Sequence, residues 1–448
     1  MMRRTRSPAK LQINLNFNDF ALFISGRLWY NSNGICIIKQ EDDTMQQQFL
    51  TDWSSDIKNI PVGPLGVIAM PGCEEMGEKI DQYLKTWHSL QENQDEELYT
   101  TFGRDRNSFL IKTYLPRFGT GEAKGMIKES VRGYDIYIVI DVCAYNRTYL
   151  MYGREVPMSP DDHFQDLKRV IAALGGKAKR INVIMPMLYE SRQHRRVSRE
   201  SLDCALGLQE LVNMGVQNII TFDAHDPRVQ NAIPLSGFEN IMPTYQMLKA
   251  LCRHVKDLQL DKEHLMFVSP DEGAMDRNIY YASVLSLDLG MFYKRRDYTT
   301  IVNGRNPIVA HEYLGSDVAG KDIIVVDDMI ASGDSMIDLC RELKARRANR
   351  IIAMTTFGFF TNGLGVFNKA YEDGLLYRVI TTNLTYRTPE LRAAPWYIEA
   401  DMSKYISLII ATLNHDRSLH SLLNPYDRVH RLAENYKKEQ LESGFGIV

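Results

Sequence analysis

The 448-residue sequence lacks the features of membrane, secreted and zinc-binding proteins. Its best apolar run, residues 406–413, is too short to span a bilayer. The basic start MMRRTRSPAK has no apolar segment behind it, so we do not expect a secretory signal. Six cysteines are present, with no CxxC pair and no Cys/His cluster at zinc spacing. We therefore expect buried thiols in a reducing compartment, a cytoplasmic location and no membrane contact.

An excess of charge of one sign is also missing. The sequence has 53 Lys and Arg residues against 56 Asp and Glu residues, which gives a net charge of -3. Nucleic-acid binding driven by bulk positive charge is therefore not expected. Hydrophobic residues make up 44% of the chain, which is enough to build two or three domains.

Short apolar runs alternate with segments of helical periodicity from about residue 64 onward. The sequence predicts strands at residues 66–70, 134–142, 181–188, 218–223, 265–269, 322–327 and 350–355. It predicts helices at residues 160–174, 201–214, 244–258 and 335–347. Alternation of this kind is typical of an α/β fold with parallel sheets flanked by helices, in which ligands bind beyond the carboxyl ends of the strands.

A weak similarity between two stretches of the sequence indicates two related halves. The stretch YIVIDVCAYNRTYLMY (137–152) and the stretch VVDDMIASGDSM (325–336) share an outline: an apolar strand, an acid, a small-polar loop and a helix. Residues 1–63 and 426–448 lie outside the regular pattern. The first of these segments contains alternating runs such as INLNFNDFALFI, so we expect it to be folded, without a function that we can assign.

The stretch IIVVDDMIASGDSM (323–336) carries the strongest chemical signal. A small-residue loop that opens a helix presents backbone N–H groups and the positive end of the helix dipole, which favours a phosphate. The two adjacent acids, Asp327 and Asp328, suit sugar hydroxyls or a nearby metal. The alternative is an ordinary strand-to-helix turn capped by Asp. We interpret the motif as a sugar-phosphate site whose loop residues are Ala331, Ser332, Gly333, Asp334 and Ser335.

This motif resembles the phosphoribosyl pyrophosphate signature shared by type I phosphoribosyltransferases and ribose-phosphate pyrophosphokinases. Three further segments resemble the pyrophosphokinases alone. In SRQHRRVSRESLD (191–203), the resemblance implies that Arg192 and Gln193 bind ATP. In TFDAHDPRVQ (221–230) and VSPDEG (268–273), it implies that His225 and Asp271 place Mg²⁺, with His225 also contacting ATP and acting in catalysis.

Two more segments complete the resemblance. YKRRD (293–297) is similar to the family's Lys-x-Arg segment in a catalytic flexible loop, so Lys294 and Arg296 are the expected catalytic cations. RFGTGEAKGMIKESVRGYDIYIV (117–139) is similar to the family's N-terminal segment. The resemblance implies that Phe118 and Glu122 contact the nucleotide of a neighbouring subunit.

Six segments in the family's order cover about residues 64–425, and together they are highly specific. The resemblance implies two phosphoribosyltransferase-like domains within a five-part chain. Its parts are an N-terminal extension (1–63), an ATP-side domain (64–243), a ribose 5-phosphate-side domain (244–410), a return segment (411–425) and a C-terminal tail (426–448).

The reaction that the resemblance implies is pyrophosphate transfer from Mg²⁺–ATP to the anomeric hydroxyl of ribose 5-phosphate. It also implies a homo-oligomer, between a dimer and a hexamer. Two alternatives remain: a phosphoribosyltransferase, and a non-catalytic regulatory paralogue. Thr120 and Asp334 depart from the family pattern and keep the second alternative open.

Overall fold

The computed structural model describes residues 28–30, 36–38, 61–92, 107–296 and 308–442. The chain divides into two compact units, residues 1–60 and 61–448. In the first unit, strand β1 (Leu28–Tyr30) pairs antiparallel with strand β2 (Cys36–Ile38). All the elements described below belong to the second unit.

The N-terminal half of the second unit is a parallel sheet with helices packed against it. Its elements are β3 (Leu65–Ala69), α1 (Glu74–Glu92), β4 (Thr113–Tyr114), β5 (Met126–Ile127), β6 (Asp135–Val139), β7 (Thr148–Met151), β8 (Arg154–Pro157), α2 (Pro160–Leu174), β9 (Arg180–Ile184), α3 (Asp203–Asn213), β10 (Asn218–Phe222) and β11 (Gly237–Ile241). Five strands pair in parallel in the order β11-β10-β9-β6-β3. All five residues of β6 are buried, as expected for a central parallel strand covered on both faces.

The C-terminal half repeats this plan and adds an antiparallel edge. Its elements are α4 (Thr244–His254), β12 (Leu265–Ser269), α5 (Met275–Leu285), β13 (Asp288–Arg296), β14 (Ile308–Gly315), β15 (Asp322–Ile330), α6 (Asp334–Ala345), β16 (Ile351–Gly358), α7 (Gly365–Glu372), β17 (Arg378–Thr382), α8 (Pro389–Ala393), β18 (Tyr397–Ala400), α9 (Ser403–Asn414), α10 (His420–Leu423) and α11 (Tyr426–Glu442). The strand order is β14-β13-β12-β15-β16-β17-β18, and only the β13–β14 pair is antiparallel.

The two sheets share a strand order. In each half, five parallel strands follow one another in sequence across the sheet: β3-β6-β9-β10-β11 and β12-β15-β16-β17-β18. The two similar sequence stretches, residues 137–152 and 325–336, begin on the second strand of each series, β6 and β15, and continue into the loop that follows. The predicted α/β class is therefore confirmed, and the shared strand order agrees with the predicted repeat of the two halves. The helix expected at the end of the first stretch is wrong, because residues 148–151 form β7.

The chain crosses back to the first half near its end. Helix α9 packs against α1, and Asn414 at its end donates hydrogen bonds to Gly63 O (3.2 Å) and Asp135 Oδ2 (2.9 Å). Arg180 donates to Asp135 and to Leu413 O (2.6 Å). These contacts support the predicted return segment, and the domain boundaries stay predictions.

Helix α11 lies in the segment expected to be a tail. It packs against α4 and α5 of the second half, where Val429 and Tyr436 are buried. The Tyr436 hydroxyl donates to Val255 O (2.5 Å) and accepts from Leu258 N–H (3.0 Å). Residues 426–442 therefore belong to the packed structure of this half.

The predicted elements agree with the structure except at their ends. Helix α2 has the predicted bounds. It begins at Pro160 because Ser159 forms a capping box with Asp162 and proline suits the first helical position. Strand β15 continues three residues beyond its predicted end. Helix α1 ends at Glu92, and residues 93–106 lie outside the described residues.

Among the described residues, every helix falls short of the length and apolar character that a membrane span requires. Five cysteines have side chains that the structure describes, and each of them is a free thiol. Four of the five are buried: Cys73, Cys204, Cys252 and Cys340. The prediction of unpaired, mostly buried thiols is confirmed for these residues.

Asp141, which links the two halves, gives the fold a testable pH dependence. Its carboxylate accepts N–H groups from Cys143 (2.9 Å) and from Tyr386 (3.0 Å) in the other half. Burial raises the pKa of Asp141 to about 6. The unfolded chain has a pKa of ~3.9 at this group, so the stability that the group contributes is present below about pH 4 and is lost as the pH rises to about 6.

The amide of Asp141→Asn does not ionise, so this variant escapes the loss. We expect its free energy of unfolding, relative to that of the parent, to rise by about 3 kcal/mol from pH 4 to pH 7. Urea unfolding of both proteins at the two pH values measures this gain. The difference between the unfolding free energies of the two proteins at each pH cancels the contributions of the other titrating groups. An equal stability difference at both pH values would contradict the assignment.

Candidate active site

The two acids of the sugar-phosphate motif lie at the carboxyl end of β15, inside the strand. Asp328 is buried, with 5% exposure, and its backbone N–H donates to Asp327 Oδ1 (2.8 Å). The Asp327 side chain is 29% exposed. The Asp327 carboxylate is therefore partly exposed to solvent, whereas the Asp328 carboxylate is buried.

His225 from the first half contacts the second of these acids. It follows β10 by three residues, and its Nδ1 donates to Asp328 Oδ2 at 2.5 Å. This hydrogen bond raises the pKa of His225. Burial alone would raise the pKa of Asp328, but the hydrogen bond from His225 and the charge of Arg277 outweigh it and lower that pKa. The two residues are therefore joined by a hydrogen bond across the junction of the halves.

Arg277 was not singled out from the sequence, although it lies between the two halves at this site. Its guanidinium makes three contacts with the Asp223 carboxylate, at 2.7, 2.9 and 3.0 Å, and lies 4.0 Å from Asp327 Oδ1. Burial and the neighbouring Asp328 raise the pKa of Asp327, and Arg277 opposes this effect. The sequence signal that could have identified Arg277 is its place as a cation in the first turn of the helix after the Ser-Pro-Asp turn.

The predicted sugar-phosphate loop connects β15 to α6. Gly333 caps the helix with φ of 94°, and the Ile337 N–H bonds its carbonyl at 3.0 Å. A Cβ on Gly333 would lie 2.3 Å from the ring of Phe367, so only glycine fits here. Asp334 and Ser335 begin the helix as exposed residues, while Ala331 and Ser332 are half-buried. The loop can therefore offer the amino end of α6 to an anion.

Asp271 lies in the turn after β12, as predicted. Its Oδ1 accepts N–H groups from Gly273 (3.0 Å) and Ala274 (3.2 Å), and the Ser269 hydroxyl donates to its carbonyl (2.7 Å). Its negative charge contributes to the raised pKa of Asp327. Asp271 therefore acts electrostatically on the same acidic cluster.

The predicted ATP-binding residues lie on two loops of the first half. Arg192 is exposed. The Gln193 side chain donates to Ser201 O (2.9 Å), a hydrogen bond that joins two parts of the Arg-rich loop. His194 in this loop lies 3.5 Å from Asp226, and its ring packs edge-on against the ring of His225 at 5.2 Å between centroids. The structure therefore brings the Arg-rich loop to the same strand end as His225.

The other predicted nucleotide contacts lie on an exposed turn. Phe118 is 51% exposed, and its N–H donates to Glu122 O (2.7 Å). Thr120, the departure from the family pattern, donates its hydroxyl to Glu122 Oε2 (3.0 Å). This turn presents both side chains outward, and their contact with a neighbouring subunit stays a prediction.

The expected catalytic cations lie on the antiparallel edge of the second sheet. The backbones of Lys294 and Arg296 pair with His311 and Ile308 of β14, with an irregularity between Arg295 and Arg296. The side chains of both cations, and residues 297–307, lie outside the described part of the structure. Their catalytic roles stay predictions.

The acidic cluster has the chemistry that Mg²⁺ requires, although it is no preformed cage. Mg²⁺ prefers oxygen ligands and keeps several waters, so one or two protein contacts are enough. Asp271 and the two acids of β15 provide carboxylate oxygens, and His225 has Nε2 to offer because Nδ1 contacts Asp328. Within the described residues, no group of three or more His, Cys, Asp or Glu side chains is arranged to hold a metal.

Comparison with known proteins extends over most of the chain. Residues 65–215 match the family model for the N-terminal domain of ribose phosphate pyrophosphokinase, and residues 238–369 match the model for the phosphoribosyl transferase domain. The ribose-phosphate pyrophosphokinase of Vibrio vulnificus is 27% identical over 314 residues, which is 69% of this chain and 90% of that protein. The Wolinella succinogenes protein of the same name is 29% identical over 323 residues, 70% of this chain and 91% of that protein.

A solved structure has the same fold. The phosphoribosylpyrophosphate synthetase of Mycobacterium smegmatis superimposes with a TM-score of 0.61 at 19% sequence identity. The match covers 79% of this chain and 99% of that one. Both halves therefore follow the arrangement of that structure.

Proposed function

Because this chain belongs to the ribose-phosphate pyrophosphokinase family, we propose that it transfers pyrophosphate from ATP to ribose 5-phosphate, giving phosphoribosyl pyrophosphate and AMP. One observation of the structure carries the proposal. The carboxyl ends of β10 and β15 meet, so that His225 of the ATP side contacts Asp328 of the sugar side at 2.5 Å. Donor and acceptor sites on the two halves would then share one cleft.

In this mechanism the anomeric hydroxyl of ribose 5-phosphate attacks the β-phosphorus of ATP. The new oxygen–phosphorus bond forms as the bond from the β-phosphorus to the oxygen between the α- and β-phosphates breaks. AMP leaves with that oxygen, and the attacking hydroxyl loses its proton to the surrounding water. Asp327 and Asp328 accept hydrogen bonds from the ribose hydroxyls, which orients the attacking oxygen. The 5-phosphate lies against the amino end of α6, on the loop residues Ala331, Ser332, Gly333, Asp334 and Ser335.

The ATP side binds and orients the triphosphate. Arg192 and Gln193 bind the nucleotide, and His225 and Asp271 would hold Mg²⁺ against it. Mg²⁺, when bound, neutralises charge on the phosphate oxygens. Lys294 and Arg296 stabilise the charge that develops on the transferred group, which is the largest contribution in phosphoryl-transfer catalysis.

The proposal extends to assembly and location. Phe118 and Glu122 lie on an exposed turn, which supports a homo-oligomer, dimer to hexamer, in which this turn reaches the nucleotide of a neighbouring subunit. The five free thiols support a reducing compartment, and we place the protein in the cytoplasm.

The test is AMP formation by the purified protein with Mg²⁺ and ATP, in the presence and absence of ribose 5-phosphate. We expect AMP release only with the sugar, at one phosphoribosyl pyrophosphate per AMP and without ADP. Phosphorus NMR follows all the products in one sample. Activity that requires a free base and no ATP would favour a phosphoribosyltransferase instead. A folded protein that makes no product would favour the regulatory paralogue.

A further inference from the structure

Arg277 makes the most extensive side-chain contact between the two halves near the site. It lies in the first turn of α5, and its side chain is 10% exposed. Nε lies 2.9 and 3.0 Å from the two oxygens of Asp223, and Nη2 lies 2.7 Å from one of them. Asp223 directly follows β10 in the other half and is 3% exposed. Both partners are therefore withdrawn from water.

The same guanidinium also faces the substrate acids. Nη1 lies 4.0 Å from Asp327 Oδ1, and its positive charge acts on both Asp327 and Asp328. Asp223 also accepts a hydrogen bond at 2.5 Å from the hydroxyl of Thr356 on β16. One chain of contacts therefore joins Thr356, Asp223, Arg277 and Asp327 across the junction of the halves.

A neighbouring residue fixes the position of Arg277 along β15. Asn278 is fully buried and donates to Val326 O (2.7 Å), while its Oδ1 accepts the Val326 N–H (3.3 Å). Val326 directly precedes Asp327. The first turn of α5 is therefore held to β15 next to the acids, and a side chain from this turn has little freedom to move away from them.

We propose that Arg277 is a positioning residue for ribose 5-phosphate: it holds the Asp327 side chain in place beside Asp328 and aligns it with the ATP-side strand end through Asp223. This inference rests on the proposed function. Two adjacent carboxylates repel each other, and a cation about 4 Å away attracts both and keeps the pair in place. Its bidentate contact with Asp223 fixes the cation at that place, which a flexible surface cation could not do.

The purely structural alternative is that Arg277 only holds the two halves together. Arg180 provides a matched control for that role. Its side chain is 11% exposed, it makes a bidentate contact with the buried Asp135 at 2.7 and 2.8 Å, and it bonds Leu413 O in the returning segment. No residue assigned to the site contacts it within the described part of the chain. Loss of either arginine removes a buried ion pair, but only Arg277 faces the substrate acids.

The experiment measures ribose 5-phosphate binding by calorimetry in the presence of Mg²⁺, thermal unfolding midpoints, and AMP formation. The proteins are the parent chain, Arg277→Met, Arg277→Lys, Arg180→Met and the double variant Asp223→Asn/Arg277→Met. We expect Arg277→Met to bind ribose 5-phosphate at least about 10-fold more weakly, as for loss of a charge-assisted contact. Arg277→Lys should recover part of this loss because it keeps the charge.

The controls separate positioning from stability. Arg180→Met should lower the unfolding midpoint yet bind ribose 5-phosphate within about twofold of the parent. The double variant should recover the midpoint, because its neutral amide leaves no unpaired buried charge at position 223, but it should still bind the sugar weakly. Recovery of both properties in the double variant would overturn the proposal, as would parent-like binding by Arg277→Met. A parent chain that neither binds the sugar nor makes AMP would overturn the proposed function itself.

Discussion

Lys294→Ala is expected to lower turnover by about 100-fold or more, with little change in the unfolding midpoint. The reason is that a positioned cation acts on charge that exists only in the transition state, and removal of one such donor costs about 10²–10³ in rate. Lys294 lies on the antiparallel edge of the second sheet, away from the buried parallel strands, so its loss should leave the core intact. Steady-state AMP formation with saturating ATP and ribose 5-phosphate measures the effect.

Arg295→Ala is the matched control for this prediction. It removes a cation from the adjacent position of the same strand, and the family resemblance assigns that position no role. We expect turnover within a few-fold of the parent. Near-normal turnover of Lys294→Ala, or an equal loss in Arg295→Ala, would contradict the role proposed for Lys294.

Gly333→Ala is expected to destabilise the protein and to raise the KM for ribose 5-phosphate by about 10-fold or more, a loss near 1.4 kcal/mol of binding. Two costs add at this position. The backbone has φ of 94°, which costs a residue with a side chain roughly 1–2 kcal/mol. The new Cβ would also lie 2.3 Å from the ring of Phe367, and overpacking of this kind costs about 1–3 kcal/mol.

The ring cannot move aside easily. Phe367 is fully buried and packs against Phe360 (centroids 4.9 Å apart) and Trp396 (5.4 Å apart). The loop must therefore shift instead, and it is the loop that we expect to hold the 5-phosphate. Urea unfolding and substrate titration of the same protein measure both consequences.

Gly363→Ala separates the two costs. Gly363 also has a positive φ, of 79°, but a Cβ there would meet no atom within 4 Å. We expect this variant to lose only the conformational cost and to keep the parent KM. If the two variants lose equal stability, steric contact with Phe367 is not the reason for glycine at position 333.

The sequence located the loop that Gly333 belongs to but not the end of the strand before it. The run of Ile and Val predicted β15, and the two acids were expected to end it. In the structure β15 continues through Met329 and Ile330 because both residues pair with β16, at Phe357 and Gly358. Strand pairing of this kind depends on a neighbouring strand distant in the sequence, so local composition could not predict it.

For His225, the sequence predicted a site residue but not its contact partner. The resemblance of the stretch TFDAHDPRVQ to the pyrophosphokinases marked it as a functional candidate. Its contact with Asp328 joins residues 103 positions apart, on different sheets. Arg277 and its partner Asp223 are separated by 54 positions and meet for the same reason. Pairs like these form only when the two halves dock, and no local pattern specifies which side chains then meet.

The sequence by itself determined the α/β class and the order of the predicted strands and helices, because periodicity and turn residues act over a few positions. The segments assigned to the chemistry came mainly from the resemblance to a known family. The tertiary structure alone decided which side chains share the cleft, how Arg277 joins the halves and where the C-terminal helix packs. These features depend on burial and charge pairing between residues far apart in the chain. Their free energy is gained only after both sheets have formed and packed against each other.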